Sequence, residues 1–306
     1  MKKQSVSLVF FFALILSLLF SANPGMTQTA ETENFADVYQ LRFHPPTTFI
    51  YFYEQGWETR FTTERQGESF ENRSINIVQF HFEVETIDSV GRVNAVVVLD
   101  SIYRELIPQR QRRGNFDRQD LIGKRVRVIF EPNGSVAEVT EIDSLPERSS
   151  RQGRMFGDPK DRFKNLFWKL VDKSIAIGDE WTEHKIDTTT SEGYSGAIIT
   201  HSTNHYHVMG IEKVDEFDCL KLKLTTEYSR AGSREFPERN MTITSENEGE
   251  TTTVTWFAFK NGLFLKSEGD SFDEGTTAYS GASSRVMPSS TESKSYLKLL
   301  KIESVR

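Results

Sequence analysis

His201, His205 and His207 account for half of the chain's six histidines. On a continuous strand these odd-numbered positions share one face, because successive side chains alternate. A His-x-His pair can present two imidazoles to zinc, with His201 as a third ligand farther along the same face. Against that zinc reading, the intervening Tyr206 and Val208 belong to an apolar face, which turns the histidines outward among polar neighbours. Serine chemistry has less support. Gly193-Tyr194-Ser195-Gly196 lacks the second spaced glycine of a nucleophile elbow and precedes a strand, not a helix. A second Tyr-Ser-Gly-Ala at Tyr279–Ala282 marks the pattern as a small-residue loop. The carboxylate pairs Glu83/Glu85 and Glu246/Glu248 fall on surface-like segments, where a solvated face is the default. The basic stretch from Arg104 to Arg127, with Arg110, Arg112, Arg113 and Arg118, could dock anionic headgroups or an acidic surface, and reads first as a solvated loop. No residue is assigned a catalytic role, and no cofactor is implied.

These residues sit in a chain that reads mainly as strand. One helix is expected near the middle, over Asp158–Ser174. Phe163, Leu166, Phe167, Leu170 and Val171 fall at i, i+3, i+4, i+7 and i+8, an apolar stripe, with Asp158 as cap and Pro159 in the first turn. On either side lie alternating segments. Val78, Phe80, Phe82 and Val84 share one face, and Leu220, Leu222 and Leu224 alternate with polar residues. Phe82, Val84, Ile87, Val90, Val93, Val96 and Val98 recur as Tyr206, Val208, Ile211, Val214, Phe217, Leu220 and Leu222 at one constant offset. Phe130-Glu131-Pro132-Asn133-Gly134 is echoed by Phe259-Lys260-Asn261-Gly262.

The expected organisation is therefore a first β half over 37–146, a polar linker at 147–157, the central helix and a second β half over 175–306. The fold class is mainly β: curved antiparallel sheet built from two similar meanders, with the amphipathic helix packed on it. A groove between helix and sheet would be lined by Phe163, Phe167, Trp168 and Leu170, with Phe80, Phe82, Tyr206 and Trp256 opposite. An aromatic-rich lining of this kind suits a lipid or another apolar or amphiphilic ligand. The alternative is an interaction or scaffold module whose sheet edges or arginine loop bind another envelope protein.

Lys2 and Lys3 followed by the apolar run Leu8–Phe20 read as a signal peptide, with cleavage after Ala22 or as late as Ala30. Residues 23–36 are Thr/Glu/Asn-rich and read as disordered. Cleavage takes the formal charge from −7 to −9, since two lysines are lost and no carboxylate precedes Glu31. An acidic exported chain is a poor nucleic-acid binder. With no cysteine near the cut, a lipid anchor is not expected, and after cleavage no transmembrane span remains. The expected location is periplasmic or extracellular. Cys219, the single cysteine, reads as a small buried hydrophobe.

Val171, Ile175, Gly178-Asp179, Trp181, Val214, Asp218-Cys219-Leu220-Lys221 and Lys260-Asn261-Gly262-Leu263 together resemble a group of uncharacterised exported bacterial proteins with a doubled, strand-rich region. That group's plan is similar to the open half-barrel of the periplasmic lipoprotein-localisation carriers, over about Ala36–Glu303. The resemblance implies a curved sheet closed by helices around an apolar cavity, and it brings no catalytic residue.

Overall fold

A computed structural model describes residues 37–65, 67–107, 119–145, 160–190, 196–236, 240–281 and 284–305. The leader, the 23–36 segment, the 147–157 linker, Asp158 and Pro159, Gly193–Ser195, Ala282 and Arg110, Arg112, Arg113 and Arg118 lie outside them.

Thirteen strands are described. In the first half these are β1 Val38–Gln40, β2 Phe49–Arg65, β3 Glu68–Ile87, β4 Val93–Ile107, β5 Arg125–Phe130 and β6 Val136–Glu141. The second half holds β7 Ser174–Ala176, β8 Glu180–Thr190, β9 Ala197–Val214, β10 Phe217–Phe236, β11 Met241–Ala258, β12 Leu263–Ser280 and β13 Arg285–Ser304. A 3-10 turn spans Gln119–Leu121, and one turn of helix, α1, spans Asp161–Lys164. No helix among the described residues is long and apolar enough to cross a membrane.

Eleven strands form one antiparallel sheet in the order β6-β5-β4-β3-β2-β13-β12-β11-β10-β9-β8, and β1 pairs with β7 separately. Each half is a meander of sequential hairpins, and β13 joins the second half to the first by pairing with β2 from Phe49 to Thr63. Alternation produces this arrangement. Val78, Phe80, Phe82 and Val84 are buried on β3, as are Val93, Ala95, Val97 and Leu99 on β4. The residues between them face out.

The core lies at one end of the long strands and is largely aromatic. Phe167 is its hub, with ring centroids of Phe43, Tyr53, Phe80, Phe82, Phe130 and Phe264 all within 5.1–6.1 Å. These are favourable tilted, edge-on or stacked spacings.

The expected helix over Asp158–Ser174 is corrected here. Only Asp161–Lys164 is helical, and Asn165 leaves the helical region at φ −125°, ψ 49°. The stripe is nevertheless inside: Phe163, Leu166, Phe167 and Leu170 are all buried. From Leu166 to Lys173 the chain runs as an irregular strap over the sheet. Its backbone finds an outside partner, since the Leu170 N–H donates to the Asn133 carbonyl at 2.7 Å. An isolated helix of about 17 residues is marginal in water, so packing decides. Here packing favours a strap that lowers Phe167 among six rings. The several helices that close the carriers' cavity have no counterpart among the described residues.

The repeat is also adjusted. Val84 and Val208 both face the core, as the constant offset requires. Across the turn the match slips. Residues 88–92 link β3 to β4, whereas Asp215 and Glu216 alone link β9 to β10, with Asp215 at φ 51°. Val96 and Val98 pair with the charged Arg127 and Arg125 on the outer face, while their offset partners Leu220 and Leu222 pair with the buried Phe257 and Thr255. A shift of one residue exchanges faces.

Candidate functional site

The strap does not lie flush on the sheet along its whole length. Trp168, Leu170 and Val171 form one wall of a narrow cleft of about 40 Å³. Trp181 on β8, Tyr206 on β9, Leu222 and Leu224 on β10 and Thr253 on β11 form the other. Water occupies about 30 Å³ per molecule in the liquid, so this volume holds one or two waters.

Local sequence explains each wall. Leu222 and Leu224 share the face toward the strap because alternate side chains do so along the pleat, and Lys223 and His207 also border the cleft. Trp181 stands opposite Tyr206 in the β8–β9 register. Their rings stack at 4.7 Å and 5°. Lys173, at the end of the strap, caps this pair with its ammonium 3.6 Å from the Trp181 ring centroid, a favourable cation–π position. Glu183 holds both rings: Trp181 Nε1–H donates to one carboxylate oxygen at 3.3 Å, and the Tyr206 hydroxyl to the other at 3.3 Å. Burial, with the nearby Glu183 charge, pushes the Tyr206 hydroxyl up to about 12. It stays a neutral donor across the physiological range.

Two threonines on β11 differ in a way that matters. The Thr255 hydroxyl donates to Ser267 Oγ at 3.3 Å. Thr253 is 2% exposed, and its hydroxyl has no hydrogen-bond partner in the protein. The residue opposite it on β12 is Gly269, which offers no side-chain partner. A buried hydroxyl left unpaired is costly.

The strap is fastened at Asn133 in the β5–β6 turn. Besides the Leu170 bond, Asn133 Nδ2 donates to both Asp172 carboxylate oxygens at 3.1 and 3.2 Å. Lys169 pairs with Asp172 at 3.5 Å. The cleft therefore offers apolar walls, a cation-capped aromatic pair and one unused hydroxyl. That set can hold a molecule.

The eight residues expected to line a groove divide three ways. Phe80, Phe82, Phe163 and Phe167 are packed in the core, and Leu170 spans core and cleft. Trp168 and Tyr206 do meet in the cleft. Trp256 is buried, but on the opposite face of the sheet, between Lys221 at 4.9 Å and Lys266 at 4.6 Å from its ring. Trp181, Leu222, Leu224 and Thr253 also line the cleft and Lys173 caps it, and of these only the alternation of Leu222 and Leu224 is a signal in the sequence.

The zinc site is corrected. His201, His205 and His207 lie along the outer side of β9, and 201 to 207 span about 20 Å of strand. His205 Nδ1 is 3.0 Å from the Thr182 hydroxyl and His207 Nε2 is 3.9 Å from Glu180. Among the described residues no group of three or more His, Cys, Asp or Glu converges as metal ligands. Of the other candidates, Glu85 pairs with Arg127 at 3.0 Å and Arg125 with Asp143 at 2.9 Å, both exposed. Cys219 is buried, which pushes its thiol up to about 11.

No family model matches the chain. No curated protein matches it. Among solved structures, a DUF1329 family protein from Desulfovibrio piger is similar at 12% identity, over 82% of this chain and 85% of that chain, with a TM-score of 0.15. At that score the likeness carries no argument about fold or activity.

Proposed function

We propose that this chain is an exported, non-catalytic envelope protein that takes up an amphiphilic ligand beneath the 168–173 strap. The observation that carries the reading is the buried, unpaired hydroxyl of Thr253, a residue that lines a cleft with Trp168, Leu222 and Leu224. A ligand with an apolar body would lie on Trp168, Leu222 and Leu224, and a carbonyl or hydroxyl on it would complete Thr253. Ligand pockets usually enclose about 300–1,000 Å³, far above the 40 Å³ here. The strap must therefore lift, and its Asn133 fastening is the part that opens. The apolar leader and the aromatic walls support the same reading.

The test is native mass spectrometry and thermal shift of the mature protein against bacterial phospholipids and free fatty acids, with tryptophan fluorescence as the local signal. A bound adduct together with altered emission, both lost in Trp181→Ala, is the expected result. No adduct and no thermal shift with any member of the panel would overturn it.

A further inference from the structure

An open sheet has two edges, and this one treats them differently. At β6 the edge is six residues long, α1 packs against it, and Glu141 at its end is bridged by Lys160 at 3.1 Å. At the other end, β8 presents eleven residues, about 36 Å of backbone at 3.3 Å per residue. It is exposed along nearly its whole length, pairs with β9 without a bulge and contains neither proline nor glycine. Among the described residues nothing pairs with its free side. Long regular edges are ordinarily blunted by bulges, prolines or cover, because their free N–H and C=O groups recruit another strand.

We infer that β8 pairs antiparallel with β8 of a second copy of this chain, about a two-fold axis through Ile186, continuing the sheet across the dimer. The register follows from charge together with the exposed Ile186. A two-fold axis perpendicular to the sheet keeps inner side chains opposite inner ones, so it must pass through a residue and not between two. With the axis at Ile186, Lys185 faces Asp187 of the second copy and Asp187 faces its Lys185. Lys185 and Asp187 already touch within one chain at 2.7 Å, so the four charges alternate in sign around the axis. Ile186, 67% exposed in the single chain, covers its own counterpart. Thr182, Glu183 and His184 meet Thr190, Thr189 and Thr188, and within 182–190 no like charges are opposed. Moving the axis to Lys185 sets Glu183 against Asp187 twice and Lys185 against itself, and moving it to His184 pairs Glu183 with Lys185 but sets the exposed Ile186 against Thr182 instead of against its counterpart. Directly opposed like charges destabilise a sheet pair. The cleft takes Trp181 from this strand, and Glu183 of the strand bonds Tyr206, but association is read by sedimentation and ligand uptake by adduct formation, so either reading can fail alone.

The experiment is sedimentation equilibrium of the mature chain over the micromolar to millimolar range, with Lys185→Glu, Asp187→Lys and an equimolar mixture of the two variants. Each single variant opposes like charges in its own dimer and raises the dissociation constant about tenfold. Their heterodimer restores both opposite-sign pairs, so the mixture returns to the wild-type constant. Ile186→Pro, which removes a backbone donor or strains the edge, leaves monomer. Unchanged circular dichroism melting shows that the charge variants fold. The inference is overturned by a monomer at every concentration, by a dimer that the single variants leave intact, or by a mixture no tighter than its components. The last two place association on another surface or in another register.

Discussion

Replacing Thr253 by valine exchanges a hydroxyl for a methyl at nearly constant shape. In most buried sites that swap is harmful, because the hydroxyl was bonded. Here it has no partner in the protein and the residue is 2% exposed. Leaving such a hydroxyl unpaired costs about 1–3 kcal/mol, and an added buried methyl contributes about 0.8 kcal/mol. The net expectation for Thr253→Val is a gain of about 1–2 kcal/mol. For a chain of this size that raises Tm by about 3–6 °C. Thr255 is the internal control, two residues away on the same face. Its hydroxyl bonds Ser267 Oγ, which is itself buried, so Thr255→Val orphans a partner and lowers stability by about 1 kcal/mol. Chemical denaturation of both variants, fitted with a shared slope, measures the difference. The valine at 253 should also weaken ligand binding about fivefold, since the hydrogen bond is then unavailable. Equal destabilisation by the two substitutions would refute the argument, because it would mean that Thr253 is already satisfied.

Phe167→Ala removes the ring that six others surround and should cost about 3–5 kcal/mol, read as a lower denaturation midpoint with an unchanged slope. A loss under about 1 kcal/mol would show that the aromatic cluster closes over the gap. The Arg125 side chain, together with its backbone N–H, holds the Asp143 carboxyl down from 3.8 to about 2. A depressed carboxylate stabilises the fold above its unfolded value, so this contribution is intact above about pH 4 and lost as pH falls toward 2. Hydrogen exchange at Arg125 and Ile142 should accelerate over that window, and Asp143→Asn should remove the pH dependence.

Period-two alternation was legible wherever one face meets the core, as at Val78–Val84, since a strand has few other ways to bury those residues. The Phe163–Val171 stripe correctly marked which side chains go inside but misnamed their backbone. Spacing reports a shared face, whereas the Asn133 carbonyl and the ring cluster that favour a strap come from residues far away in sequence. A gapless offset could not reveal that one hairpin turns in two residues and the other in five. Tyr206 and Val208 facing inward did foretell outward histidines. Thr253 was invisible within the run Thr251-Thr252-Thr253, because its missing partner is set by Gly269 on the next strand.

The pairing of β13 with β2 joins residues about 240 positions apart, as between Tyr296 and Gly56. Apart from the short β1–β7 pair, that zipper is what joins the two meanders, and without it each has an extra raw margin. Closing so long a loop costs entropy before any contact repays it. The β13–β2 pairing is thus the costliest in the sheet to close, and a chain that lacks it bares two further long strands to mispairing.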